Sequence, residues 1–285
     1  MMSTADNFVF LAVLLSAVFH AGWNTLIKAG LTPMLTTTLI SVGAGVVALA
    51  FVPFIGVPHA DAWPWLVASV LIHLFYFAGL IESYRAGDLG QVYPIARGAA
   101  PLMTATVAAV WMGEKQSLVG WVGIVLLILG VFMLSSRGGR AVAHLDRKAI
   151  GFALFTALTV CAYSVVDGIG GRLSKNPHAY SVWLFVGMVV VMVPYALFRE
   201  GRAILPAMQR HWRRGLLGGA LQLISYTIAI WAMTKAPIAI VAALRETSVL
   251  FGSLFAVFVL KEPFRAVRIV AAVLIVIGLL IVRLQ

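Results

Sequence analysis

Apolar runs of about 20 residues, separated by short polar breaks, fill this chain from end to end. Ten runs are drawn, over residues 8–29, 34–55, 63–84, 89–112, 118–135, 149–171, 180–198, 215–233, 238–260 and 267–282. None shows the alternation of a membrane-barrel strand of about ten residues. Each therefore predicts a helix able to cross a hydrocarbon layer about 30 Å thick at about 1.5 Å per residue. Pro33, Pro53, Pro58, Pro64 and Pro177 lie at or near run ends, where proline is tolerated. Pro94, Pro101 and Pro194 lie inside runs or near their ends and predict kinks.

Two connections are longer, 136–148 and 199–214, and the first divides the chain into residues 1–137 and 138–285. Each half holds five runs. Because five is odd, similar halves enter a membrane from opposite sides, which makes an inverted repeat. The expected fold is an all-α polytopic membrane protein with ten transmembrane helices in two inverted five-helix repeats. The repeat is visible in single residues. A shift of 148 positions lays Arg97 on Arg245, Glu114 on Glu262 and Gly130 on Gly278.

Composition agrees with lipid as the solvent. The chain is 62% hydrophobic and 11% charged, against about 25% charged in soluble domains. The single cysteine, Cys161, excludes an internal disulfide framework and any multi-cysteine metal site. The net charge of +11 reads as membrane anchoring rather than nucleic-acid binding, because the basic residues sit mostly between the runs. Of the 21 Lys and Arg, fourteen follow odd-numbered runs, five lie on the opposite side, and the other two are Arg97 and Arg245. The positive-inside rule then places both termini outside and the long basic loops in the cytoplasm of a bacterial inner membrane. Residues 1–7 lack the basic region of a cleavable signal, so the first run reads as a retained helix.

Several motifs resemble the EamA type of the drug/metabolite transporter superfamily. They are His20-Ala21-Gly22-Trp23-Asn24, Val92-Tyr93-Pro94-Ile95-Ala96-Arg97 through Pro101, Trp111-Met112-Gly113-Glu114, Leu244-Arg245-Glu246, and Leu260-Lys261-Glu262-Pro263. The likeness covers essentially the whole chain. It implies transport of a small molecule through a central cavity lined by helices 1, 3, 4, 6, 8 and 9. Members export amino acids and other metabolites, and relatives move sugar phosphates and nucleotide sugars.

The residue types point the same way. An arginine well inside a span usually faces a watery path or a partner, and its planar fork suits carboxylate or phosphate. Arg97 and Arg245 are thus candidate substrate ligands, each about 12 Å into its helix, from opposite sides. The alternative is internal neutralisation. Glu82 is the candidate counter-ion for Arg97, and Asp167 or Glu246 for Arg245. Glu246 is the weaker choice, since adjacent helical residues point about 100° apart. Glu82 and Asp167 are equally candidates to carry a coupling proton. His20 and His73 titrate near neutrality and are candidate relays or packing residues, without metal-ligand spacing. Tyr93, Tyr163 and Tyr226 are the aromatic residues we assign to the substrate wall. Glu114 and Glu262, beside Lys115 and Lys261, read as structural. Gly43/Gly45, Gly120/Gly123, Gly218/Gly219 and the Gly130/Gly278 pair predict close helix contacts.

No Walker loop, GxSxG or HExxH is present, which leaves no direct ATP use and no enzyme signature. An intramembrane enzyme or a non-transporting scaffold is the rival class. The expectation is a secondary transporter, an exporter, for a small anionic or zwitterionic metabolite such as an amino acid, organic acid or phosphonate. No cofactor or metal is expected, protons are the candidate coupling ion, and a monomer suffices, with a homodimer left open.

Overall fold

The structure is a computed structural model and describes residues 4–27, 31–86, 89–114, 117–135, 147–258 and 266–283. The described residues form helices and connecting turns, with no strand among them. The helices are α1 (Thr4–Ile27), α2 (Pro33–Ile55), α3 (Trp63–Ala86), α4 (Leu89–Trp111), α5 (Leu118–Ser135) and α6 (Arg147–Leu173). They continue with α7 (Pro177–Glu200), α8 (Ile204–Arg210), α9 (Trp212–Met233), α10 (Ile238–Arg245), α11 (Ser248–Phe258) and α12 (Ala266–Arg283). Seven segments are long and apolar enough to span a membrane, and the shorter apolar helices Ile95–Trp111, Leu118–Leu134 and Ile269–Val282 complete the ten. The 199–214 connection contains the short α8, so α9 is the eighth span. The ninth expected run is two helices, α10 and α11.

The same local rules shape both halves. Thr32 caps α2 by accepting from the Leu35 amide at 3.3 Å, with Pro33 next. Asn176 caps α7 by accepting from the Ala179 amide at 3.1 Å, with Pro177 next. Each proline occupies a first-turn position where its missing N–H is not needed. Both helices then end at a glycine with positive φ, Gly56 at 75° and Gly201 at 63°.

Packing repeats in the same way. Helix α3 lies on α6 as α9 lies on α1; α4 lies on α6 as α10 and α11 lie on α1; and α2 lies on α9 as α7 lies on α3. The equivalent helices α5 and α12 meet antiparallel. A Cβ at Gly130 would lie 2.8 Å from the Ala271 carbonyl oxygen, and one at Gly278 would lie 2.7 Å from that of Gly123. The 148-residue shift exchanges these two contacts, so the halves are inverted about this seam. No hydrophobic force draws helices together in lipid, so close van der Waals approach has to supply the adhesion. The α2–α9 contact is tighter still, since a Cβ at Gly43 would sit 2.0 Å from the Gly215 carbonyl oxygen. Reciprocal hydrogen bonds of 2.8 Å between the Ser16 and Ser225 hydroxyls and carbonyls join α1 to α9. Large apolar side chains cover the outside, among them Phe54, Trp111 and Phe198.

The glycine contacts predict a stability difference. Gly43→Ala forces two backbones apart and should lower stability by about 1–3 kcal/mol. Gly151→Ala meets nothing within 4 Å and should leave stability unchanged or slightly raised. Thermal unfolding in detergent measures both, and equal midpoints would refute the close α2–α9 approach.

Candidate functional site

The ninth span breaks at a run of polar residues. Between α10 and α11 the chain reads Arg245-Glu246-Thr247-Ser248, where the equivalent stretch of α4 reads Arg97-Gly98-Ala99-Ala100. Backbone bonds tighten here to three-residue closures, Glu246 N–H to Ala243 O at 3.1 Å and Thr247 N–H to Leu244 O at 3.1 Å. The Thr247 hydroxyl donates to the Leu244 carbonyl at 2.7 Å. Hydroxyl side chains compete for backbone groups in this way and loosen helices.

The break faces Arg97. Its Nε lies 2.9 Å from Glu246 Oε2, an ionic contact across which the N–H does not point. Its Nη2 donates to the Ser248 hydroxyl at 2.8 Å. Arg245 differs. Among the described residues no carboxylate forms an ion pair with it. Its guanidinium lies over the Tyr226 ring, 4.9 Å from the centroid, a cation–π geometry.

Two connected spaces meet at these residues. An inner chamber, with about 360 Å³ unfilled by atoms, is lined by Arg97, Arg245, Glu246, His20, Tyr163 and Thr104, among others. A wider vestibule, about 1100 Å³ with its mouth, runs from the same Arg97–Glu246 pair to Leu31, Pro33 and Thr36 at the start of α2. The ion pair therefore stands where the two spaces join. Buried in the vestibule region, Trp23 Nε1 and Gln222 Oε1 make no hydrogen bond.

Behind the chamber wall lies a buried polar cluster. Asp167 on α6 accepts from the Tyr180 hydroxyl at 3.0 Å and, through its other oxygen, from the Tyr226 hydroxyl. His73 stacks on Tyr163, 4.2 Å between centroids. Its Nδ1 lies 2.9 Å from the Ser69 carbonyl oxygen. The Ser69 hydroxyl lies 3.2 Å from the same nitrogen; the carbonyl contact is a hydrogen bond when Nδ1 carries the proton, and Nε2 faces the Tyr226 oxygen at 3.5 Å.

An ion pair joins the two halves where α4 and α6 end. Arg172 on α6 reaches Glu114, beyond α4, at 3.0 Å, and donates to the Met233 carbonyl at 2.9 Å and the Ala236 carbonyl at 3.3 Å. Glu114 in turn accepts from the Ile238 and Ala239 amides at 3.0 and 3.3 Å. Its carboxylate thus satisfies the open N-terminus of α10. An apolar layer including Phe10, Val13, Met233, Ile238 and Val241 packs beneath.

Comparison with known proteins gives these features a family. The model of the EamA-like transporter family matches residues 7–136 and 147–284. The chain belongs to the EamA-like transporter family. It is a multi-pass membrane transporter of the drug/metabolite type. Chains of solved structures also match, 29 in all. One crystal structure superposes with a TM-score of 0.79 over 99% of this chain and 98% of its own, at 16% identity, a likeness of fold. No curated protein matches.

In this EamA-like chain, Arg97, Arg245, Tyr163, Glu246 and His20 all line the inner chamber. Entry from opposite faces explains how the two arginines meet: depths of about 12 Å in a layer of about 30 Å leave only a few ångströms along the normal, within side-chain reach. The expected pairings change. Glu82 bonds Arg199 at 2.5 Å, not Arg97. Glu246 serves Arg97 rather than Arg245, because the break turns it toward α4. Asp167 is held by two tyrosine hydroxyls, and Tyr226 stands between it and Arg245. Glu114 is structural in a larger sense than expected, tying the first half to the second through Arg172. The Tyr93 side chain, Lys115, Lys261 and Glu262 lie outside the described residues. Helix α2 joins the cavity wall beside the six helices expected. Sequence reading missed Ser248, Tyr180 and Gln222 as site residues. The triplet Glu246-Thr247-Ser248 inside an apolar run was the available signal for the first.

Breaking a buried ion pair from one side strands a charge, at a cost of about 3–5 kcal/mol. Arg97→Gln and Glu246→Gln should each destabilise the protein toward that range, and the double variant by clearly less than their sum. A double-mutant cycle from unfolding in detergent reads the coupling. Strict additivity would show that the pair does not act as one.

Proposed function

We propose that this protein is a secondary transporter that moves a small anionic or zwitterionic metabolite by alternating access, as an exporter. The observation that carries the reading is Arg245, a guanidinium on the chamber wall with no carboxylate ion pair among the described residues. A substrate carboxylate, phosphonate or phosphate supplies the missing anion. Glu246 next to it suits the ammonium of a zwitterion once Arg97 shifts, and Trp23 Nε1 and Gln222 Oε1 offer an unused donor and acceptor. Tyr163 gives the aromatic wall, Tyr226 backs it beneath Arg245, and Tyr93 is proposed with them from its place on α4.

Direction follows from the openings. The vestibule mouth lies beside the α1–α2 connection, on the face with the excess of Lys and Arg. With that face in the cytoplasm and both termini outside, the described state receives substrate from within and is closed outside by the Glu114–Arg172 clasp. Residues 1–137 and 138–285 are proposed as the two units that move against each other, in the inner membrane of a bacterium.

The Asp167 cluster supports protons as the coupling ion. The single Tyr226 hydroxyl proton is given to Asp167. With Nδ1 protonated, the His73 Nε2 edge then bonds Tyr226 only by donating a proton of its own, or Asp167 holds the proton and Tyr226 turns toward His73. One further proton therefore has two places to sit, and both lie one ring away from Arg245.

Thermal shift of purified protein with amino acids, organic acids, phosphonates, sugar phosphates and cationic amines tests the substrate class. A ligand at about 100 times its Kd adds about 2.7 kcal/mol of apparent stability. The expected result is a shift from an anion or zwitterion that disappears in Arg245→Gln. A shift from cations alone, or one that Arg245→Gln retains, overturns the anion reading. In proteoliposomes loaded with that ligand, Asp167→Asn should uncouple transport from a pH gradient, and unchanged gradient dependence would remove Asp167 from coupling.

A further inference from the structure

The sparse basic face holds a concentration of charge, and two of its lysines take no part in the proposed transport path. Of the five Lys and Arg assigned to it, Arg172, Lys175 and Lys235 line a single pocket, about 750 Å³ with its mouth, where α6 meets α7 and α9 ends. No acidic residue lines it. Lys175 and Lys235 are exposed, and among the described residues neither side-chain ammonium has an ion pair or hydrogen bond.

Lys175 is also the one described non-glycine residue with positive φ, 55°. A glycine serves that position more comfortably at a helix end. Glycine there would bring no ammonium, and strain retained at such a point is a pointer to function.

The pocket does not end in water. His178 and Trp231 form its edge and also begin a second, almost wholly apolar groove of about 1030 Å³, lined by Phe8, Leu11, Leu15 and Ile228. Phe8, Leu11 and Leu15 form one face of α1 over about 10 Å. Phe8 is 65% and Leu11 61% exposed, on the side turned to lipid. Trp231 meets the Phe8 ring edge-on at 5.7 Å, and tryptophan favours the depth where head groups meet chains.

We infer that the two spaces form one binding site for an anionic phospholipid. The phosphate sits at Lys175 and Lys235, beside Arg172, whose charge is shared with Glu114, and one acyl chain lies along the α1 groove. Charge complementarity selects the anionic head group, and the continuous apolar groove selects a lipid over a soluble anion. The Glu114–Arg172 clasp and the apolar layer beneath it separate this site from the inner chamber, so it stands independently of the substrate reading.

Delipidated, purified whole chain is titrated with dioleoyl phosphatidylglycerol, dioleoyl phosphatidylcholine, dihexanoyl phosphatidylglycerol and inorganic phosphate, with binding read by native mass spectrometry and thermal shift. The expected order places dioleoyl phosphatidylglycerol well ahead of the other three. Lys175→Gln/Lys235→Gln should weaken it about 30-fold, the worth of two near-surface cations. Arg202→Gln/Arg214→Gln, the same charge loss at exposed positions after α7 and in the first turn of α9, should leave it unchanged. Equal binding of the choline lipid would make this annular lipid only, and equal effect of inorganic phosphate or the short-chain lipid would make it a soluble-anion site. Either result, or full binding by the lysine variant, overturns the proposal.

Discussion

A guanidinium inside hydrocarbon has to be met by the protein, and this chain meets one by breaking a helix. Arg97 comes from an unbroken α4. Its partners, Glu246 and Ser248, are presented by the turn that separates α10 from α11. In a low-dielectric interior the attraction between such charges is large, but so is the cost of removing each from water, and good geometry decides the balance. The turn supplies that geometry: it aims a carboxylate and a hydroxyl at one guanidinium and leaves the neighbouring Arg245 directed at the chamber. Among the described residues the site thus holds one cation in an ion pair and one that rests on an aromatic ring.

That difference is a departure from internal symmetry. The frame is twofold: α5 meets α12 through exchanged glycine contacts, and α2 and α7 begin and end alike. The centre is not. The 148-residue shift lays Glu246, Thr247 and Ser248 on Gly98, Ala99 and Ala100, so only the second half has the polar residues that break a span. Symmetric packing gives a pathway formed between two similar bodies. The asymmetric centre gives that pathway one charged wall with a direction. Its two ends differ as well. The vestibule opens beside α2, while Glu114 and Arg172 join three helix ends at the other face over an apolar layer.

Within this arrangement the buried Asp167 cluster is placed to respond to the chamber without lining it. Tyr226 belongs to both, its ring under Arg245 and its hydroxyl on Asp167. In the proposed mechanism, an anion drawn to Arg245 and a proton held near Asp167 would act on the same side chain from opposite sides, and a hydroxyl turning between His73 and Asp167 would supply the two arrangements that such coupling needs.

The sequence by itself determined the ten spans, because length and apolarity are local properties set by the thickness of the bilayer. It also determined the inverted repeat, because an odd number of similar spans permits nothing else, and it marked Arg97 and Arg245, because a charge in an apolar run stands out without any knowledge of its neighbours. What it left open was every pairing. Glu82, Asp167 and Glu246 are alike in sequence as buried acids, and nothing local says that the first goes to Arg199, the second to two tyrosines and the third to Arg97. Those choices depend on which helix faces which, across 13 and 59 residues for Asp167 and 117 for Glu82, and on a break whose orientation only the packed bundle fixes. The clasp of Glu114 on Arg172 and α10 is of the same kind, since a glutamate at the end of one half finds its partners in the other only after the two halves have met.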